Sequence, residues 1–260
     1  MAYISPMLTN IVTAVKKASV NLNRDFSEIE RLQNSVKGSL DFTKIAFDKV
    51  EKGIRIELAK VLPALPVMLI NDKKPKEGMY LCVSALEGIA NFAHGNADFA
   101  VSVALIEHNI VTAAVVYSPI SDELFFAEKG SGAFKEGFRN HERLRVAGVK
   151  NIDKALLACN ADINVLQKAV ELSPNVSING SVALSLAYVA AGKLDAVIAN
   201  KSYFAELAAG ILLVKEAGGY VFSYGQTDIR SEDLNRVLQS GSIVATNEAL
   251  KQKLASEMAK

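Results

Sequence analysis

Between Pro66 and Lys129 the chain passes through five short apolar segments, PVMLI, MYLCVS, ADFAVSVALIE, NIVTAAVVYSP and ELFFAEK, separated by turn residues. Short runs rich in Val, Ile and Phe and bounded in this way read as successive strands. The residues around Glu107-His108-Asn109 predict a tight hairpin, and GSGAF at 130–134 predicts another hairpin connection. A sheet this apolar must be covered, and the residues before it supply a cover. Leu8, Ile11, Val12, Val15 and Ala18 recur at helical spacing after Ser5-Pro6, which predicts a helix over 6–22. Ile45, Val50, Ile54 and Leu58 predict a second from about Phe42 to Leu62, with Asp41 as N-cap and Pro63 as the stop.

The rhythm changes in the second half. Strand ALLACN, helix NVLQKAVEL and strand VSIN precede a helix, SVALSLAYVAAG, that begins after Gly180 and closes at Gly192. Strand DAVIAN, helix AELAAGILLVKEAGG, strands YVFSY and SIVATN and a terminal helix EALKQKLASEMA follow. Hairpins first and alternating strands and helices later indicate an α/β chain of stacked sheets and helix pairs, a layered sandwich. No linker, repeat or low-complexity tract interrupts it. The expectation is one domain over 1–260, with closely packed halves of about 1–150 and 151–260.

Composition narrows the function classes. The 29 Lys and Arg against 28 Asp and Glu leave a net charge of +1, so nothing electrostatic points to nucleic acid or an anionic membrane. No apolar run reaches the about 18 residues of a membrane span. The first twenty residues, MAYISPMLTNIVTAVKKASV, lack the pattern of a signal peptide. Cys82 and Cys159 lie in apolar strand-like runs and read as buried free thiols, which suits a cytoplasmic protein.

Five ordered blocks carry a resemblance. They are KGSLDF at 37–42 with KVEK at 49–52, EGIANFAHGNADFAVSVAL at 87–105, VVYSPISDELFFAEKGSGAF at 115–134, GSVALSLAYVAAGKLD at 180–195 and ELAAGILLVKEAGG at 206–219. Through them nearly the whole chain resembles the inositol monophosphatase family, in particular its bacterial extragenic-suppressor branch. The resemblance implies a layered αβαβα sandwich, a homodimer, and Mg²⁺-dependent hydrolysis in which clustered carboxylates hold the metal and activate a water. Such oxygen-rich clusters suit the hard Mg²⁺ ion. It also implies a loop at a helix start that contacts phosphate, here Gly88, Ile89 and Ala90. The same branch has been linked to the transcription machinery, which makes a protein partner an expectation too.

The family's metal-binding motifs are then carried over residue by residue. Its signature Asp-Pro-(Ile/Leu)-Asp-Gly-Thr-Thr-Asn-Phe places Ser84 at the first metal-binding aspartate and Glu87 at the second, with Leu86 lending a backbone carbonyl. Ile89 and Ala90 replace the two threonines, while Gly88, Asn91 and Phe92 are kept. The acidic pair expected after the strand at 66–70 appears as Asn71-Asp72. In DFTKIAF, Lys44 stands at a threonine and Phe47 at an aspartate. In the late Trp-Asp-x-Ala-Ala-Gly motif Ala205 replaces tryptophan and Glu206 the metal-binding aspartate, and Ala199 stands where an acid contacts substrate hydroxyls.

The resemblance therefore implies a metal site of Glu87, Leu86, Glu206, Asn71 and Asp72 that has lost most of its oxygen donors. The expected function is a family member with weak or absent Mg²⁺ binding, inactive or very weak as a phosphatase, that acts in binding or regulation, including binding of a small phosphorylated ligand. The alternative is a Mg²⁺-dependent phosphatase for inositol or sugar monophosphates with Glu87 and Glu206 around a rearranged ion. A third is a subunit paired with an active paralogue. Lys44 is expected near Glu87 or Glu206, where its ammonium would stand in for metal charge. His94, His108 and His141 share no ligand spacing, and Ser181 reads as an N-cap.

Overall fold

The computed structural model describes residues 4–32, 36–75, 78–225 and 234–259. Two long helices, α1 (Pro6–Leu32) and α2 (Val36–Val61), open the chain. Both are longer than the sequence spacing predicts. Leu22, Phe26 and Ile29 continue the buried stripe of α1 beyond residue 22. In α2 the segment before Phe42 is already helical, so Asp41 lies inside the helix and is no N-cap. The stripe outlasts the strong apolar residues because helix interiors tolerate the polar residues between them where they face water.

Strand β1 (Val67–Leu69) and β2 (Met79–Glu87) lead to a one-turn helix α3 (Ile89–Ala93), which hydrophobic periodicity cannot reveal at that length. Then follow β3 (Ala100–Glu107), β4 (Ile110–Ser118), β5 (Glu123–Glu128), β6 (Gly132–Lys135) and β7 (Glu142–Arg143). These seven strands form one sheet in chain order, antiparallel except for the parallel pair β1/β2. The predicted hairpin between β3 and β4 turns on His108 and Asn109, with φ of 48° and 63°. Two consecutive residues at positive φ are the signature of the type I′ turn that matches strand twist. The GSGAF segment does join β5 to β6 as a hairpin.

The second half supplies β8 (Leu157–Asn160), α4 (Ile163–Leu172), β9 (Val176–Ser177), α5 (Val182–Ala190), β10 (Ala196–Ala199) and α6 (Phe204–Glu216). It ends with β11 (Tyr220–Phe222), α7 (Leu234–Ser240), β12 (Ile243–Thr246) and α8 (Lys251–Met258). Its five strands pair in the order β11, β12, β10, β8, β9.

Three apolar clusters fix the layers. The first packs α1 and α2 on one face of the large sheet, through Leu8, Ile11, Val15, Ile54 and Leu58 against Leu81, Val103 and Val115. The second packs α5 and α6 on the opposite face and against the small sheet. The third puts α4 and α8 on the far side of the small sheet, around Leu157, Val165 and Leu254. The result is the αβαβα order. Helices α5 and α6, buried on nearly every side, read as almost continuous apolar sequence for that reason. They approach closely at Gly210, where a Cβ would stand 2.5 Å from Leu186 Cδ1. Both cysteines are buried and unpaired, and among the described residues no helix is long and apolar enough to cross a membrane.

Candidate functional site

Strand β2 ends in a bulge between Ser84 and Glu87, and this irregularity swings the last residues of the strand toward the ends of α5 and α6. The chain then turns at Gly88, whose φ of 91° and whose 2.8 Å approach of an added Cβ to the Asp98 carbonyl admit only glycine. Helix α3 follows. Asn91 Nδ2 donates to the carbonyls of Asp98 at 2.6 Å and of Asn179 at 2.7 Å, tying α3 to the loop that enters α5. Phe92 is fully buried between Phe26 and Phe99, with ring centroids 6.1 and 5.2 Å away. The three motif residues kept in this chain, Gly88, Asn91 and Phe92, thus have structural tasks that need no chemistry in the pocket.

The pocket itself has a volume of about 350 Å³. It gathers Phe47 from α2, Asn71 after β1, Ser84, Leu86 and Glu87 from β2, Gly88 and Ile89 at α3, and Tyr203 and Glu206 at the start of α6. Ala85, Ile70 and Gly180 complete the wall. Most of the residues singled out in the sequence therefore do converge. Phe47 and Ile89 present hydrocarbon where the family motif has an aspartate and a threonine.

Each acid in the pocket is held by backbone. Glu87 is 5 % exposed, and its Oε1 accepts hydrogen bonds from the amides of Val182 at 2.6 Å and Ala183 at 3.0 Å, while Oε2 accepts from Ala183 at 3.0 Å. It thereby satisfies orphan N–H groups of the first turn of α5, where negative charge is also favoured. Ser181, the N-cap, accepts from the Leu184 amide as the sequence predicts. Burial nonetheless pushes the Glu87 carboxyl up to about 8, and repulsion from Glu206 adds to this, against the amide bonds and the Ser181 hydroxyl. Glu206 closes a capping box: its Oε2 accepts from the Tyr203 amide at 2.8 Å. Burial raises its carboxyl as well.

The remaining sequence candidates lie as follows. Asn71 is exposed at the pocket wall. Asp72 is not in the wall: it accepts from the Leu69 amide and from Arg55, both at 2.9 Å, and these bonds hold its carboxyl below the usual range. Ala90 is exposed in the first turn of α3, outside the lining. Lys44 is exposed on α2 and forms no ion pair with Glu87 or Glu206, so the expected stand-in for metal charge is not made. On the same helix Lys49 lies over the Phe42 ring, 5.7 Å from its centroid, and reaches Asp25 of α1 at 3.8 Å. His94 bonds the Ala90 carbonyl, and the His141 ring meets Phe126 edge-to-face with centroids 5.0 Å apart. Among the described residues no group of three or more His, Cys, Asp or Glu side chains is placed to hold a metal ion. Sequence reasoning did not place Tyr203 or Gly180 in the wall: Tyr203 carries no motif signal, and Gly180, which opens the block at 180–195, reads there only as the residue before a helix start.

A sheet of seven strands between two helix pairs, with a pocket at the bulged end of β2 and the starts of α3, α5 and α6, defines the phosphatase fold of the layered αβαβα type. The chain belongs to the inositol monophosphatase family, whose model matches residues 4–260. It is 36 % identical over 272 residues to an inositol-1-monophosphatase of Mesorhizobium japonicum, covering 98 % of this chain and 97 % of the relative. Identity to an inositol-1-monophosphatase of Rhizobium meliloti is 37 % over 263 residues, covering 96 % and 95 %. Among solved structures, the extragenic suppressor protein suhB from Bartonella henselae superposes with a TM-score of 0.84 at 32 % identity, covering 99 % of this chain and all of that one.

Proposed function

We propose that this chain is a member of the inositol monophosphatase family in which metal-dependent hydrolysis is lost or severely weakened, so that it acts by binding or regulation. One observation carries the reading. Glu87, the strongest remaining metal-ligand candidate, is buried with both carboxylate oxygens directed at the amides of Val182 and Ala183. A glutamate is one methylene longer than the aspartate of the family motif, and that reach is what lets it cap α5 from the end of β2.

Mg²⁺ asks for near-octahedral oxygen coordination, commonly anchored by carboxylates. The donors available here are two glutamates already engaged with helix starts, one serine hydroxyl, one exposed asparagine and a strand carbonyl. That set does not fit the ion, and no reaction step is derived through it. The competing reading, a Mg²⁺-dependent phosphatase for inositol or sugar monophosphates, is favoured by the 36 % and 37 % identity to proteins named inositol-1-monophosphatase. Phosphate release from a panel of inositol and sugar monophosphates, with Mg²⁺ and without, separates the two. The proposal expects the rate of the protein-free control. Metal-dependent turnover that disappears in Glu87→Gln would establish the enzyme.

A further inference from the structure

Two large apolar side chains stand at the pocket with about half of their surface bare: Tyr203 is 59 % exposed and Ile89 47 %. The neighbouring Phe204 ring is covered by the Lys74 ammonium, 4.7 Å from its centroid, and among the described residues the Tyr203 ring has no such cover. In the same wall Phe47 and Ile70 are half-buried, and Ala85 and Leu86 complete the hydrocarbon lining. A single apolar side chain open to water is ordinary, whereas several gathered in one concave space form a surface that a ligand covers.

The polar part of the lining sets the class of occupant further. Glu87 and Glu206 are held on backbone amides and supply no part of the recognition. The neutral polar groups are the Ser84 hydroxyl and the Asn71 amide, and each can both donate and accept a hydrogen bond. The volume of about 350 Å³ limits the size. A closed apolar cavity of about 150 Å³ takes up a benzene, so this space suits one or two rings.

We infer that the pocket binds a small uncharged ring compound, aromatic or alicyclic, with no more than one neutral hydroxyl or N–H group. The ring covers Phe47, Ile89 and Tyr203, and the two aromatic side chains favour offset or edge-on contact with an aromatic ligand. Its one polar atom pairs with Ser84 or Asn71. A ring with a hydroxyl on every carbon is rejected, because each hydroxyl set against hydrocarbon gives up its bonds to water without replacement. The inference adds a ligand class to the binding role proposed above and rests on the reading that the site holds no divalent cation.

The chain contains no tryptophan, so indole fluorescence excited beyond the tyrosine band reports the ligand alone. Indole is titrated with the full chain in the presence of EDTA. A saturable blue shift is expected, reversed by cyclohexanol and not by myo-inositol, which is the same carbon ring with a hydroxyl at each position. N-acetyl-tryptophan amide in the same assay tells a ring borne on a protein chain from a free one, and binding of either supports the proposal. Ile89→Thr and Tyr203→Ser change side chains at half-exposed positions and keep the backbone amides, including the Tyr203 amide that holds Glu206. Each is expected to weaken indole binding about tenfold. No saturable shift with either indole compound would overturn the inference, as would displacement by myo-inositol as readily as by cyclohexanol, or equal affinity in wild type and both variants. Hydrolysis is measured separately, with Mg²⁺ and no indole, so failure here leaves the reading of the lost phosphatase standing.

Discussion

If Glu87 is a cap for α5 and no longer a metal ligand, its removal must destabilise the protein. Metal-site carboxylates behave in the opposite way, since an unneutralised cluster of acids strains the apo protein and truncating one relieves it. Glu87→Ala strips the acceptor from the amides of Val182 and Ala183, which are 7 % and 0 % exposed and cannot turn to water. Each buried orphan costs about 1 to 3 kcal/mol, so the expected loss is about 2 to 5 kcal/mol. In a chain of this size that lowers Tm by about 5 to 15 °C. Glu87→Gln keeps a carbonyl acceptor and is expected to stay within about 1 kcal/mol of wild type at pH 6. The pH dependence has a definite sign. The folded carboxyl, at about 8, lies above its ordinary value of 4.5. Its contribution is therefore fully present below pH 4.5 and is lost as pH rises through about 8. Wild type should lose up to about 5 kcal/mol across that window, and Glu87→Gln should not. Calorimetric melts of the three proteins at pH 6 and pH 9 read all of this. Glu87→Ala melting at or above wild type at pH 6 would refute the capping role.

Two further perturbations probe the frame around the pocket. Gly210→Ala places a methyl 2.5 Å from Leu186 Cδ1 and is expected to cost about 1 to 3 kcal/mol by forcing α5 and α6 apart, seen as a lower urea midpoint. Asn91→Ala removes the bonds to the Asp98 and Asn179 carbonyls, and a loss of about 1 to 3 kcal/mol is expected, with faster amide exchange in α3 and in the loop before α5.

The layers were legible because their signals are long. Five apolar segments, two amphipathic helices and the alternating second half carry enough residues to reveal period and order, and the His108-Asn109 turn is written in two residues that tolerate positive φ. Helix ends were less legible: α1 runs to Leu32 and α2 begins at Val36, through polar stretches whose stripe rests on Phe26 and Ile29. Helix α3 is too short to show a period. At the site, the resemblance told which residues stand at the metal-ligand positions, and the pocket does collect Ser84, Glu87, Asn71 and Glu206. It could not tell what those side chains do. The amides that hold Glu87 lie about ninety-five residues away, and the Arg55 bond that draws off Asp72 depends on how α2 passes β1. Lys44 failed as a partner for the acids because it faces solvent, which the helical stripe set by Ala46 and Val50 already implied.

The most direct measurement is titration calorimetry of the metal-free protein with Mg²⁺, paired with phosphate release from inositol-1-phosphate in the same buffer. Buffer-like heats and no release above the protein-free control are the predicted result. Saturable Mg²⁺ uptake accompanied by steady turnover would contradict the account.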